Sequence, residues 1–175
     1  MSAPVSIVMG SDSDLPVMRG AQEVLTQLGV ASDIAIVSAH RTPRRMFEFA
    51  QQAEDDGVSV IIAGAGGAAH LPGMIASLTP LPVIGVPISA TKMDGMDALL
   101  SIVQMPAGIP VATVAIDNAR NAGLLAAQIL GVGDTRVRAA IHAFRADMTS
   151  TVERKAQALA DDALTPALDS SHIRR

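Results

Sequence analysis

The chain has 175 residues, a length that suits one domain and buries roughly 70% of its unfolded surface. At 49% hydrophobic and without cysteine, it is too apolar for a disordered segment and has neither a disulfide framework nor a thiolate metal site. A formal net charge of −4, with three Phe and no Trp or Tyr, excludes the basic surface and stacking platforms of a general nucleic-acid binder. The opening Met1–Ser6 has no basic stretch and no long apolar core, so no signal peptide is expected, and no run of ~18 apolar residues predicts a membrane span. In chain order, Val5–Met9 is an apolar run closed by Gly10 and reads as a buried strand. Leu15–Leu28 places Val17, Ala21, Val24, Leu25 and Leu28 on one helical face, with Asp14 as expected N-cap, Pro16 in the first turn and Gly29 as the stop. Ile34–Val37 is the second strand, and Thr42-Pro43 opens a second helix with Met46, Phe49, Ala50 and Ala53 inward. Val58–Ala63 is the third strand, followed by the loop Gly64–Ala69 and a short helix near Leu71–Leu78. Val83–Val86, a helix over Met96–Val103, and a fifth strand Val111–Ile116 follow, then helices over Ala119–Leu130 and Thr135–Leu159.

Strands that are apolar throughout and alternate with helices predict a parallel sheet covered on both faces. The expected organisation is one α/β domain over residues 1–165 with a loose tail over 166–175. In such sheets ligands bind beyond the carboxyl ends of the strands, so the loops after the strands are where chemistry belongs.

The first such loop, Gly10-Ser11-Asp12-Ser13-Asp14, leads into a helix N-terminus, where unpaired N–H groups favour an anion. The serines and backbone can take a phosphate while a carboxylate takes sugar hydroxyls; a solvated turn capped by Asp14 explains the same residues. The second, Ser38-Ala39-His40-Arg41-Thr42-Pro43, sets a histidine, whose ordinary pKa of ~6.5 suits proton transfer, beside an arginine fork for phosphate or carboxylate. The alternative is a surface loop with both basic groups solvated and Thr42 as a cap. The third, Gly64-Ala65-Gly66-Gly67-Ala68-Ala69-His70-Leu71-Pro72-Gly73, formally contains the dinucleotide pattern GxGxxA. That reading fails: the pattern belongs after the first strand, with an acid ending the next, and here the next strand ends Gly85-Val86-Pro87. Small residues that let a flat ligand approach remain, with His70 either at the pocket edge or bonded to backbone at a helix start.

Nothing else rises as high. His142 reads as structural or exposed, and His172 lies in the tail. There is no His pair at metal-ligand spacing, no phosphate-binding GxxxxGK[ST] and no GxSxG elbow. Leu99–Pro110 (LLSIVQMPAGIP) reads as a helix end packed against another element or another subunit, and the nine Met of the chain can fill such contacts.

Taken together, GSDSD, SAHRTP, GAGGAAHLPGM, GVP and SIVQMPAGIPVATVAI, in that order over about residues 5–130, resemble the class I N5-carboxyaminoimidazole ribonucleotide mutases. The resemblance implies a three-layer αβα sandwich with a parallel flavodoxin-like sheet, a cytoplasmic homo-octamer with active sites near subunit contacts, and purine-biosynthetic chemistry without metal, nucleotide or biotin. It implies a functional link to a synthetase that makes the N5-carboxyaminoimidazole ribonucleotide. Carried over by position, it makes His40 the general acid and base. Ser11 and Arg41 would hold phosphate with Ser38 nearby, Asp14 and Ser13 would serve the ribose, and Gly66, His70 and Leu71 would line the imidazole pocket. The chain departs from the family at Asp117-Asn118-Ala119-Arg120, which is usually richer in glycine. Rival expectations are the direct carboxylase of the same fold, whose glycine loop differs, and a non-catalytic ribonucleotide-binding module, which leaves the His40–Arg41 pair without a purpose.

Overall fold

The computed structural model describes residues 3–164. Five strands, β1 (Val5–Met9), β2 (Ser32–Ile36), β3 (Val60–Gly66), β4 (Val83–Ile88) and β5 (Ala112–Thr113), form one parallel sheet in the order β2-β1-β3-β4-β5. This is the flavodoxin-like order, with its switch point between β1 and β3. Six helices cover it: α1 (Leu15–Gln27), α2 (Pro43–Gln52), α3 (Leu71–Ala76), α4 (Met96–Val103), α5 (Ala119–Gly131) and α6 (Thr135–Leu164).

Strand alternation sorts the core into two layers. Val5, Ile7 and Met9 of β1 face α1 and α5, where Met18, Ala21, Val24, Ala122 and Ala126 are fully buried. Val8 faces the other side, with Met46 and Ala50 of α2, Ile75 of α3 and Ile102 of α4. The sheet therefore lies between two helical layers. The inner face of α1 is led by Met18, which is fully buried, rather than by Val17, which is half-buried. Met18 reaches β3 because Gly64 has no side chain: a Cβ there would lie 2.4 Å from Met18 Sδ.

Several expected boundaries move. β3 runs on to Gly66, so Gly64-Ala65-Gly66 are strand residues paired with Val86, Pro87 and Ile88 rather than loop. β5 keeps only Ala112–Thr113 of the expected Val111–Ile116, as befits an edge strand with one neighbour. Asp14 does not cap α1; Ser11 caps the 3₁₀ turn Asp12–Asp14 instead, accepting from Ser13 N–H, and Asp14 is turned inward and buried. Thr42 does not cap α2 either, its hydroxyl donating back to the Ser38 carbonyl at 3.0 Å. The Leu99–Pro110 segment packs within the chain through Ile102, buried against Gly85, and through Met105, which lies over Gly73. The expected tail, with His172, lies outside the described residues. No helix among the described residues is long and apolar enough to cross a membrane.

Candidate active site

The loops after β1, β2, β3 and β4 converge beyond the carboxyl edge of the sheet on a cavity of about 400 Å³. That volume is of the size that holds a small organic ligand. Ser11, Ser13, Asp14, Ser38, His40, Arg41, Gly66, His70 and Leu71, which the sequence singled out from three separate loops, all line it. His142 is exposed on α6 and takes no part.

The first two loops are tied by Arg41. Its Nη2–H donates to the Gly10 carbonyl at 2.6 Å and its Nε–H to Ser38 Oγ at 3.4 Å. Ser38 Oγ also accepts from the Arg41 backbone N–H at 3.3 Å, so one buried hydroxyl orients both ends of the arginine. Ser38 is itself held by Thr42, whose hydroxyl accepts from Ser38 N–H at 3.1 Å. A guanidinium pinned in this way has lost its rotamer entropy before any ligand arrives, and its remaining N–H groups are free to meet an oxyanion.

Asp14 faces this cation across the cavity wall. Burial pushes its carboxyl above the ordinary 3.8, against the opposing pull of the Ser13 hydroxyl, the Ser11 backbone contact and the Arg41 charge. Ser13 Oγ–H donates to Asp14 Oδ1 at 3.3 Å. The carboxylate is thus an acceptor on the cavity wall, and beside it Ser11 Oγ–H donates to Asp12 Oδ1 at 3.0 Å while accepting from Ser13 N–H at 3.4 Å.

The third loop brings a contact that sequence reasoning did not foresee. His40 Nε2 lies 2.7 Å from His70 Nδ1, with the rings edge to face at 88°. One proton fits between these nitrogens. Either His40 Nε2–H donates to a bare His70 Nδ1, or His70 Nδ1–H donates to a bare His40 Nε2. The first arrangement serves both a charged His40 and a neutral one with bare Nδ1; the second leaves a neutral His40 with its bare nitrogen already accepting from His70. His70 starts α3 without capping it, and its ring is exposed toward the cavity.

Gly66 lines the cavity, and Gly67 turns the chain just beyond it. Gly67 has φ +63, a conformation that side chains disfavour, and a Cβ on Gly66 would meet Ala90 Cβ at 2.5 Å. Ala90, from the loop after β4, is a lining residue that the sequence did not signal, because a small apolar side chain carries no chemical pattern. Only the strand-end rule pointed to that loop. Among the described residues no group of three or more His, Cys, Asp or Glu is placed to hold a metal ion.

Strand order and switch-point cavity define a flavodoxin-like α/β protein, and its cavity brings one guanidinium and two imidazoles together. A family profile described as AIR carboxylase matches residues 4–151. An N5-carboxyaminoimidazole ribonucleotide mutase of Pyrococcus horikoshii is 61% identical over 155 residues, which cover 89% of this chain and 88% of that protein. The mutase of Thermotoga maritima is 59% identical over 155 residues, 89% of this chain and 91% of that one. A crystal structure of Treponema denticola PurE superposes with a TM-score of 0.78 at 28% identity, covering 93% of this chain and 98% of that one. The chain belongs to the AIR carboxylase family.

Proposed function

We propose that this chain is an N5-carboxyaminoimidazole ribonucleotide mutase of purine biosynthesis, converting that compound to 4-carboxy-5-aminoimidazole ribonucleotide. The observation that carries the reading is the His40–His70 pair, at 2.7 Å, in the same cavity as the pinned Arg41. Close identity to mutases along nearly the whole chain agrees with it.

In this reading Arg41 and Ser11 hold the 5′-phosphate with Ser38 behind them. Asp14 and Ser13 take the ribose hydroxyls, and Gly66, His70 and Leu71 surround the imidazole. Protonated His40 gives its proton to N5 as the N5–carboxyl bond breaks and carbon dioxide leaves. The enclosing walls keep that molecule beside the ring, an advantage of proximity. C4 attacks it, the new carbon–carbon bond forms, and neutral His40 takes the C4 proton, restoring aromaticity. The proton returns to the group that supplied it, so atoms and charge balance with no cofactor. With its Nε2–H kept on His70 Nδ1 throughout, His40 gives and takes the proton at Nδ1, and His70 fixes the orientation of the ring.

The same proposal includes a single α/β domain over 1–165, a cytoplasmic setting, a supplying synthetase and a homo-octamer. Assembly is supported by apolar side chains left on the surface. Met93, Met96, Leu100 and Val103 are about half exposed along and just before α4, and Met148, Val152 and Leu159 are exposed on α6.

The test is the reverse reaction. Purified protein is mixed with 4-carboxy-5-aminoimidazole ribonucleotide, chelator present and ATP absent, and ultraviolet absorbance is followed beside a His40→Asn control. Loss of the carboxylated compound with the wild type but not the variant is expected. Silence in both, with ligand bound, would point instead to a non-catalytic binding module.

A further inference from the structure

Asp117 stands just beyond β5 with φ 57, a left-handed conformation that few side chains adopt but aspartate tolerates. Its backbone N–H donates to the Pro87 carbonyl at 2.9 Å, prolonging the pairing of β5 with β4 past its last regular residue. In a parallel ladder the carbonyl of such a residue would accept from the N–H two positions further along β4, that of Ser89. The left-handed turn is where the chain leaves the strand for α5, and here the carboxylate takes that partner instead. Asp117 Oδ1 accepts from Ser89 N–H at 2.9 Å, and Oδ2 accepts from the Ser89 hydroxyl. The side chain therefore completes a ladder that the turn interrupts.

What it completes bears on the cavity. Ser89 is followed by Ala90, whose N–H turns back to the Ile88 carbonyl at 3.0 Å and whose methyl group covers Gly66. Both Ala90 and Gly66 line the cavity. At the far end of the same loop Gly95 is packed so closely on Ile116 and Ser89 that a Cβ would lie 2.6 Å from Ile116 Cγ2. The β4–α4 loop is thus held at both ends by the segment Ile116–Asp117, and its cavity-facing residue sits one position from the carboxylate clamp.

We infer that Asp117 is a positioning residue for the reaction: by gripping Ser89 from both its N–H and its hydroxyl, it fixes Ala90 as the wall of the ligand cavity. The carboxylate does not line the cavity and acts only through the loop. The inference rests on the mutase reading for its kinetic half and on geometry alone for its structural half.

The experiment compares Asp117→Gly, Asp117→Asn and Ser89→Ala with wild type, in the full chain. Glycine accepts the left-handed turn, so it removes the carboxylate without straining the backbone. Asparagine keeps an acceptor for Ser89 N–H, and Ser89→Ala removes the hydroxyl arm alone. Hydrogen exchange is read at residues 88–92, and kcat and KM are read with 4-carboxy-5-aminoimidazole ribonucleotide. Asp117→Gly is expected to speed exchange at Ser89 by roughly tenfold or more and to raise KM by roughly three- to tenfold, with kcat within about twofold of wild type. Asp117→Asn should restore most of both, and Ser89→Ala should give a smaller rise in KM. Unchanged exchange at Ser89 in Asp117→Gly overturns the inference, and so does faster exchange with unchanged KM. A wild type without turnover sinks the mutase reading instead; the exchange comparison, which needs no substrate, then still decides whether Asp117 holds the wall.

Discussion

Replacing Gly66 by alanine tests the close fit between β3 and the loop after β4. Gly66 pairs with Ile88 at the last position of the β3–β4 ladder. An added Cβ would lie 2.5 Å from Ala90 Cβ and 3.0 Å from the Ile88 carbonyl oxygen. The first distance is roughly 1 Å short of ordinary contact. Neither neighbour is the tip of a flexible side chain, so relief requires the backbone of the β4–α4 loop to move. Overpacking of this kind costs about 1–3 kcal/mol. For a chain of this size each kcal/mol moves Tm by about 2–4 °C, so a fall of about 2–12 °C is expected. Because the displaced loop is the cavity wall, KM should rise together with the fall in Tm. Thermal unfolding and initial-rate kinetics on the same preparation provide the check. A Gly66→Ala protein with wild-type Tm and wild-type KM would refute the claim that Ala90 and Gly66 form one tight wall.

Three other substitutions probe separate parts of the structure. Burial pushes the Asp14 carboxyl above 3.8, so the folded chain keeps that proton to higher pH than the unfolded chain does. The group's contribution to stability therefore falls as pH rises through the window above 3.8. Asp14→Asn should then raise Tm at pH 7, with the gain shrinking as pH drops below that window, while KM rises because the hydroxyl acceptor is weakened; a lower Tm at pH 7 would contradict the sign. Arg41→Lys keeps the charge but loses the fork that grips the Gly10 carbonyl and Ser38 Oγ. A rise in KM of about 10- to 100-fold with a smaller change in kcat is expected, and an unchanged KM would move the phosphate elsewhere. Ser6 sits in β1 with its Oγ fully buried and without a hydrogen-bond partner. Ser6→Ala should stabilise the chain by about 1 kcal/mol, seen as a Tm rise of a few degrees, and an unchanged or lower Tm would contradict it.

The parts of the fold that the sequence made legible are those where burial is complete. β1 was readable to the residue because all five of its side chains are buried, and α4 because Met96–Val103 is closed by residues that leave the helix. The edges were harder. β2 and β5 each pair on one side only, so their sequences carry polar or exposed residues, and their limits shift by one to three residues. The glycine-rich end of β3 carried no apolar signal, although it is ladder-paired as far as Gly66; its small residues serve close packing against Met18 and Ala90 rather than a turn.

The site was legible for a different reason. Its polar lining residues sit in strand-end loops, and the strand-end rule says that such loops converge. What no spacing rule could supply was the pairing of His40 with His70, 30 residues apart, or the bond between Arg41 and Gly10, 31 residues apart. Asp14 illustrates the converse. Its position before a helix invites reading it as a cap, yet Ser11 takes that role, which leaves the carboxylate free to face the cavity.

Intramolecular transfer of the carboxylate is the central claim, and the fate of its carbon tests it most directly. N5-carboxyaminoimidazole ribonucleotide labelled with ¹³C in the carboxylate is turned over by the purified protein in excess unlabelled bicarbonate, and the product is analysed by mass spectrometry. A mutase that holds carbon dioxide against the ring returns 4-carboxy-5-aminoimidazole ribonucleotide with the label retained. Product in which the label has been replaced from the bicarbonate pool would contradict that account and identify a carboxylase that draws its carbon dioxide from solution.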